Sequence, residues 1–159
     1  YGQLGRDEEA LSMKRDVYFG HLKLYGAQNR HTLIPANNYA TSLISLERFE
    51  EAKVLLRKTM PVARRVLGEG CEATLIMRLN YAKAFYTDPN ATLDDLREAV
   101  TTLEELETTA RRVLGGSYPT TVTIEASLQD ARALAALRAR EAPEVLQTAD
   151  DLAAHFDSL

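Results

Sequence analysis

The chain has 159 residues, of which 45% are hydrophobic and 26% are charged, and its net charge at pH 7 is −4. This length suits one domain with a continuous core, and the composition excludes an intrinsically disordered chain. No apolar run approaches the roughly 20 residues that a membrane-spanning helix needs. The acidic balance argues against nucleic acid as the main partner. We therefore expect no membrane and no nucleic acid among its partners.

The N-terminal stretch YGQLGRDEEA is polar and acidic, which excludes a signal peptide. It lacks an initiator Met, and this favours a piece of a longer chain. Cys71 is the single cysteine, so it cannot form an internal disulfide. The sequence thus predicts a reducing, cytoplasmic setting.

Apolar residues recur at spacings of three and four, as in Leu56, Met60, Ala63 and Leu67, and sustained two-residue alternation is absent. This pattern predicts an all-α chain. Glycine and proline gather at a few points between the apolar stripes, and they divide the chain into about seven helices. In chain order, these helices are expected at 6–24, 30–45, 48–67, 72–86, 93–114, 119–137 and 143–156.

The stretch ARRVLG occurs twice, ending at Gly68 and at Gly115, and each copy reads as a helix end with glycine as the stop. A threonine follows each of these glycines by six positions, at Thr74 and Thr121. Gly26 and Thr32 show the same spacing, and the three glycines are 42 and then 47 residues apart. The chain is therefore predicted to be a helical repeat.

Other landmarks share this period: NNYA (37–40) is echoed by LNYA (79–82), and RFEEA (48–52) by DLREA (95–99). These motifs resemble the tetratricopeptide repeat (TPR), in the 42-residue variant of kinesin light chains. The resemblance implies one domain over 1–159, a right-handed solenoid of antiparallel helix pairs. Its expected parts are the second helix of a truncated repeat (1–26), a repeat (27–68), a repeat with a five-residue insertion (69–115), and a last repeat with a C-terminal capping helix (116–159).

Two segments raise separate expectations. The N-terminal helix should carry an apolar face, formed by Leu11, Val17 and Leu22, that has no partner within the chain. A cap, self-association through this helix or an upstream helix would cover it. The insertion at 87–92 contains an Asp-Pro-Asn turn and a capping residue at Thr92 or Asp94. It is either a recognition element at the rim of the solenoid or a tolerated loop extension.

No catalytic constellation is present in the sequence. The three histidines lie far apart and lack the spacing of metal ligands, and no glycine-rich loop of the phosphate-binding kind follows a strand. We therefore expect no enzyme, no cofactor and no metal site.

By the resemblance, the first helix of each repeat lines a concave face that holds a peptide. Asn37 and Thr41 would bond the peptide backbone, and Lys83 would pair with a carboxylate. Asn38 and Asn80 either face the peptide or pack between helices. Arg78 and Glu125 replace apolar residues of the pattern, which either alters the groove or marks local salt links. The candidate peptide-binding residues are Ile34, Asn37, Asn38, Thr41, Ile76, Leu79, Asn80, Lys83, Tyr86 and Asp130.

The resemblance implies a non-enzymatic protein-interaction module, a scaffold that binds a peptide or helix of a partner protein along the concave face. Two alternatives stay open. One is a structural spacer within a longer repeat array that self-associates. The other is an accessory repeat segment of a larger signalling protein or enzyme.

Overall fold

The computed structural model describes residues 2–157, with side chains for all of them except 142–151, 155 and 157. This part of the chain is all-α and forms six helices without a strand. They are α1 (Gly2–Tyr25), α2 (Arg30–Ser45), α3 (Phe49–Val66), α4 (Glu72–Tyr86), α5 (Leu93–Val113) and α6 (Pro119–Asp157). The all-α prediction is confirmed, and the predicted bounds of α2 and α4 agree to the residue.

The end of the chain differs from the expected arrangement. The two helices predicted at 119–137 and 143–156 both lie within α6, which runs for 39 residues. A proline in a helix removes one backbone hydrogen bond but does not by itself end the helix. Pro35 and Pro61 likewise lie inside α2 and α3. Pro143 therefore does not end the helix. The segment predicted as a separate capping helix is the continuation of α6. Ser158 and Leu159 lie outside the described residues.

The repeated glycines end helices, as the sequence predicts. Gly26, Gly68 and Gly115 all have positive φ, at 80°, 94° and 91°, a conformation that glycine adopts without steric cost. At the first of these glycines, the threonine six residues on ties α2 back to the end of α1. The hydroxyl of Thr32 donates to the Gly26 carbonyl at 2.7 Å. Thr74 and Thr121 are buried at the matching positions.

The helices stack in two layers. Each helix packs against the next along the chain, and α4 also packs against α2 and α6. No Cα pair within 8 Å joins α1 to α3 or α3 to α5 in the described part of the chain. The even-numbered helices therefore form the tighter, inner layer. Helix α4 lies at the centre, and 11 of its 15 residues are buried.

The exposed apolar face of α1 differs in part from the prediction. Leu11 is buried against Leu43 and Ala52, so it has a partner within the chain, contrary to expectation. Leu22 is half-buried, whereas Val17 is 51% exposed. The prediction that Leu11 lies on the uncovered face was wrong, because the side of α1 that carries Leu11 faces α2 and α3. Helix α1 still buries only two of its 24 residues, Leu11 and Tyr18.

Candidate functional site

The ten predicted binding residues all lie on α2, α4 and α6, the helices of the inner layer. Their exposure divides them into three groups. Ile34, Asn38, Thr41 and Asp130 are exposed, Asn37, Ile76 and Lys83 are half-buried, and Leu79, Asn80 and Tyr86 are buried. The last three contribute to the packing between helices.

Asn37, Thr41 and Asn80 form a polar cluster, called here the amide cluster, that joins α2 to α4. The Asn80 Nδ2 donates to Asn37 Oδ1 at 2.8 Å and to Thr41 Oγ1 at 3.0 Å. The Thr41 hydroxyl donates to the Asn37 carbonyl at 3.0 Å. Both protons of the Asn80 amide and the proton of the Thr41 hydroxyl are thus already engaged. Within the described residues, the Asn37 Nδ2 is the side-chain donor of this cluster that makes no hydrogen bond.

An open groove of about 650 Å³ lies between α4, α6 and the insertion. We call it the α4–α6 groove. Two predicted residues, Tyr86 and Asp130, line it together. Its apolar wall includes Leu96, Leu134 and Leu137, and its charged lining residues are Asp88, Asp130, Arg138 and Glu141. The groove can therefore contact an apolar side chain and a charged group at once.

The insertion at 87–92 is held in place from two sides. Asp88 Oδ2 lies 3.6 Å from Lys53 Nζ on α3, and Asp88 Oδ1 accepts from the backbone N–H of Asn90 at 2.9 Å. Arg138 Nη1 on α6 donates to the Ala91 carbonyl at 2.7 Å. The segment ends in a capping box, in which Thr92 rather than Asp94 caps α5. The insertion is thus an ordered edge of the α4–α6 groove.

Two groups define the electrostatics of this groove. Burial raises the pKa of Tyr86, its hydrogen bond with Ser127 opposes that rise, and the nearby Asp130 carboxylate adds to it. Tyr86 therefore stays neutral at physiological pH. Asp130 has no ion-pair partner among the described side chains, whereas Asp88 is close to Lys53 and Glu141 is close to Arg138. The free charge in the groove is thus that of Asp130.

Asn38 lies apart from the other predicted residues. It lines a second groove, of about 450 Å³, together with Pro35 on α2 and four residues of α1, namely Ala10, Met13, Lys14 and Val17. We call it the α1–α2 groove. Asn38 therefore faces the exposed side of α1, and α4 with Asn80 lies on a different side of α2.

Arg78 and Glu125 form local salt links, which decides the question left open by the sequence. Arg78 Nη2 lies 3.1 Å from Glu105 Oε2, and Glu125 pairs with Arg111. Burial lowers the pKa of Arg78, and the charge of Arg64 acts in the same direction, while Glu105 opposes both. These two residues connect inner helices to α5.

Among the lining residues of the α4–α6 groove that were not predicted as binding residues are Asp88, Leu134, Leu137 and Arg138. Leu134 and Leu137 follow Asp130 at spacings of four and seven, so they continue its stripe along the same helix face. Extending that stripe by two turns would have found them. The contact of Arg138 with Ala91 crosses 47 residues of sequence, and no local pattern indicates it.

The described residues contain no group of three or more His, Cys, Asp or Glu side chains placed to hold a metal ion. Among the helices of residues 2–157, none is long and apolar enough to span a membrane.

Comparison with solved structures identifies the fold. The chain has a TPR-like repeat fold. It is similar to the crystal structure of nearly identical TPR-like repeats of a kinesin light chain from Podosopora anserina, with a TM-score of 0.68 and 19% sequence identity. The match covers 100% of this chain and 72% of the other. The predicted resemblance to kinesin light chain-like TPR proteins is thereby confirmed at the level of the fold.

No protein-family model matches the sequence. No curated protein matches it either.

Proposed function

We propose that this chain is a protein-interaction module, without enzymatic activity, that binds a peptide segment of a partner protein along its inner face. The observation that carries the proposal is the α4–α6 groove, where Tyr86 and Asp130 from two inner helices meet an apolar wall. Ligand sites in proteins combine this kind of apolar lining with a few placed polar groups.

The charges in the groove favour a peptide with a basic side chain. Asp88, Asp130 and Glu141 face a single arginine, Arg138, so the lining carries two net negative charges. Of these three carboxylates, Asp130 is the one that forms no ion pair with a described side chain. A lysine or arginine of the peptide can lay its methylene stem on Leu134 and Leu137 and reach Asp130 with its charged end. Lys83 and the Asn37 Nδ2 would then contact the peptide further along the inner face.

A peptide display screen tests this proposal. The wild-type chain and an Asp130→Lys variant are screened side by side, with Glu9→Lys as a matched control for the change in charge. Glu9 is exposed on α1, outside the α4–α6 groove. We expect enriched peptides with a basic residue that bind the wild type and the control equally and lose at least tenfold in affinity on Asp130→Lys.

Equal binding of the enriched peptides to all three proteins would reject the inner face as the site. A screen without any enrichment would also count against a peptide receptor and favour a structural spacer. Circular dichroism of the Asp130→Lys variant checks its fold. Little change is expected, since Asp130 is exposed and makes no ion pair within the described residues.

A further inference from the structure

Lys53 on α3 is a buried charge at a position that is apolar in the neighbouring repeats. The residue is only 4% exposed. The glycines that end α1, α3 and α5 are 42 and then 47 residues apart, so the equivalents of Lys53 are Leu11 on α1 and Val100 on α5. Leu11 is buried and Val100 is half-buried. Because a buried ammonium group is costly unless it is paired, the partners of Lys53 indicate its role.

The partners of the Lys53 Nζ lie on its own helix, on α4 and in the insertion. This atom lies 2.9 Å from Glu50 Oε1, 3.6 Å from Asp88 Oδ2 and 4.6 Å from the centre of the Phe85 ring. The Glu50 side chain is 80% exposed, so water screens its charge. The Asp88 side chain is 13% exposed, and Phe85 is buried. The shielded partners of Lys53 are thus an aromatic ring of α4 and a carboxylate of the insertion.

Asp88 also shapes the turn of the insertion. Its second carboxylate oxygen, Oδ1, accepts from the Asn90 N–H at 2.9 Å, and its carbonyl accepts from the Ala91 N–H at 3.0 Å. The Ala91 carbonyl in turn accepts from Arg138 on α6 at 2.7 Å. A link that holds Asp88 therefore fixes the backbone of 88–91 as the edge of the α4–α6 groove.

The same link affects the charge of the groove. Asp88 lines the groove, whereas Lys53 does not. Because the ammonium group of Lys53 lies beside it, the Asp88 carboxylate attracts a cation of a peptide less strongly. Asp130, which forms no ion pair with a described side chain, is then the uncompensated carboxylate of the lining. Lys53 thus acts on both the shape and the charge of a groove that it does not line.

We propose that Lys53 is a positioning residue for peptide recognition in the α4–α6 groove. Through Asp88 it holds the insertion as the edge of the groove, and by neutralising Asp88 it directs one basic side chain of the peptide to Asp130. The insertion is then a recognition element and not a tolerated loop extension. This inference rests on the proposed function and deepens it, because it defines the ligand as a peptide that places a single basic residue in the groove.

Hydrogen exchange of the chain alone tests the structural half of this proposal. Lys53→Met removes the charge and keeps an apolar side chain, as Leu11 does in α1. Lys58→Met, an exposed change on the same helix and outside the groove, is the matched control. We expect the amides of 87–92 to exchange several-fold faster in Lys53→Met, and at the wild-type rate in the control. Equal exchange of this segment in all three proteins would overturn the proposal.

Peptide affinity tests whether Lys53 acts through Asp88. The probe is the basic peptide most enriched in the display screen, and fluorescence anisotropy measures its binding. Lys53→Met and Asp88→Asn should each weaken binding several-fold, whereas Lys53→Met should cause no further loss when it is added to Asp88→Asn. Lys58→Met should bind as the wild type does. Losses that simply add in the double variant would overturn a role through Asp88.

The salt dependence of binding separates this role from a general loosening of the fold. Lys53→Met leaves Asp88 without its ammonium partner, so the groove then carries a second unpaired carboxylate. Binding of the basic peptide to Lys53→Met should therefore fall more steeply with salt than binding to the wild type. A weaker affinity with unchanged salt dependence would reject the role in charge, because a loosened fold alone explains it.

The outcomes distinguish this inference from the proposed function. If no peptide is enriched, or if Asp130→Lys binds the peptide as well as the wild type does, the proposed function fails, and hydrogen exchange alone decides whether Lys53 holds the insertion. If Asp130→Lys weakens binding but Lys53→Met does not, only the role of Lys53 is rejected. Urea unfolding checks the fold of each variant. If Lys53→Met is unfolded, Asp88→Asn breaks the same link and replaces it in the exchange experiment.

Discussion

Asn80 lies buried between α4 and α2, and both protons of its amide are donated to α2, one to Asn37 Oδ1 and one to Thr41 Oγ1. A buried polar group is costly to leave without partners. The sequence left open whether Asn80 faces a peptide or packs between helices, and in the structure it packs. Asn80 therefore fixes the positions of the Asn37 and Thr41 side chains.

A double-mutant cycle measures this cluster. Asn37→Ala and Asn80→Ala are each expected to lower the free energy of unfolding by about 1–2 kcal/mol, because each leaves a polar partner without its hydrogen bond. The double variant should lose less than the sum, with a coupling of at least about 0.5 kcal/mol. Urea denaturation of the four proteins gives these values. If the two losses simply add, the hydrogen bond across α2 and α4 does not contribute to stability.

Arg78 makes a salt link across two helices, with Glu105 on α5. Arg78 is 6% exposed, whereas its partner Glu105 is largely exposed. The arginine side of this salt bridge is thus buried, whereas the Glu105 carboxylate lies where water screens its charge. The position normally holds an apolar side chain in this repeat pattern, so Arg78 keeps the packing role through its methylene stem and adds a link to α5.

The glycines that end the helices adopt a backbone conformation with positive φ that other residues disfavour. Gly68 has a φ of 94°, and an added Cβ there would meet no atom within 4 Å. Gly20 lies inside α1, also with open space around it. An added Cβ would therefore have room at both positions, and the two glycines differ only in their backbone conformation.

This pair gives opposite expected results. Gly68→Ala should lower the free energy of unfolding by about 1 kcal/mol, because L-residues disfavour positive φ. Gly20→Ala should raise it by about 0.5–1 kcal/mol, because alanine favours the helix. Thermal or urea unfolding of each variant checks the sign. A Gly68→Ala protein as stable as the wild type would show that the helix end can adopt another conformation.

The helices themselves were largely predictable from local sequence. Glycine at a helix end and three-to-four apolar spacing act within a few residues, and the predicted bounds of α2 and α4 agree with the structure to the residue. Pro143 was misleading because the cost of a proline in a helix depends on its surroundings, which the local sequence does not contain. The candidate binding surface was predictable only in part. Tyr86 and Asp130 followed from the repeat register, but the bond between Arg138 and Ala91 depends on tertiary packing.

At the scale of the whole molecule, the contacts follow the order of the chain. Each helix packs on its sequence neighbours, and the further contacts join inner helices only, α4 with α2 and α4 with α6. In such a stack, stability is approximately a sum of local terms and nearest-neighbour interfaces. The two ends of the array therefore need not unfold together with its centre. Burial supports a difference in stability between the centre and the N-terminal end, since 11 of the 15 residues of α4 are buried but only two of the 24 residues of α1.

Hydrogen exchange should consequently show a gradient along the molecule. We expect the amides of α4 to exchange only through global unfolding, because α3, α5 and both inner neighbours cover it. The amides of α1 should exchange far faster, since α1 has one face against α2 and carries exposed apolar residues on the others. Mass spectrometry of the exchanged, digested chain resolves the two helices. Equal protection of α1 and α4 in the free chain would mean that the array unfolds as one cooperative unit, against the nearest-neighbour description.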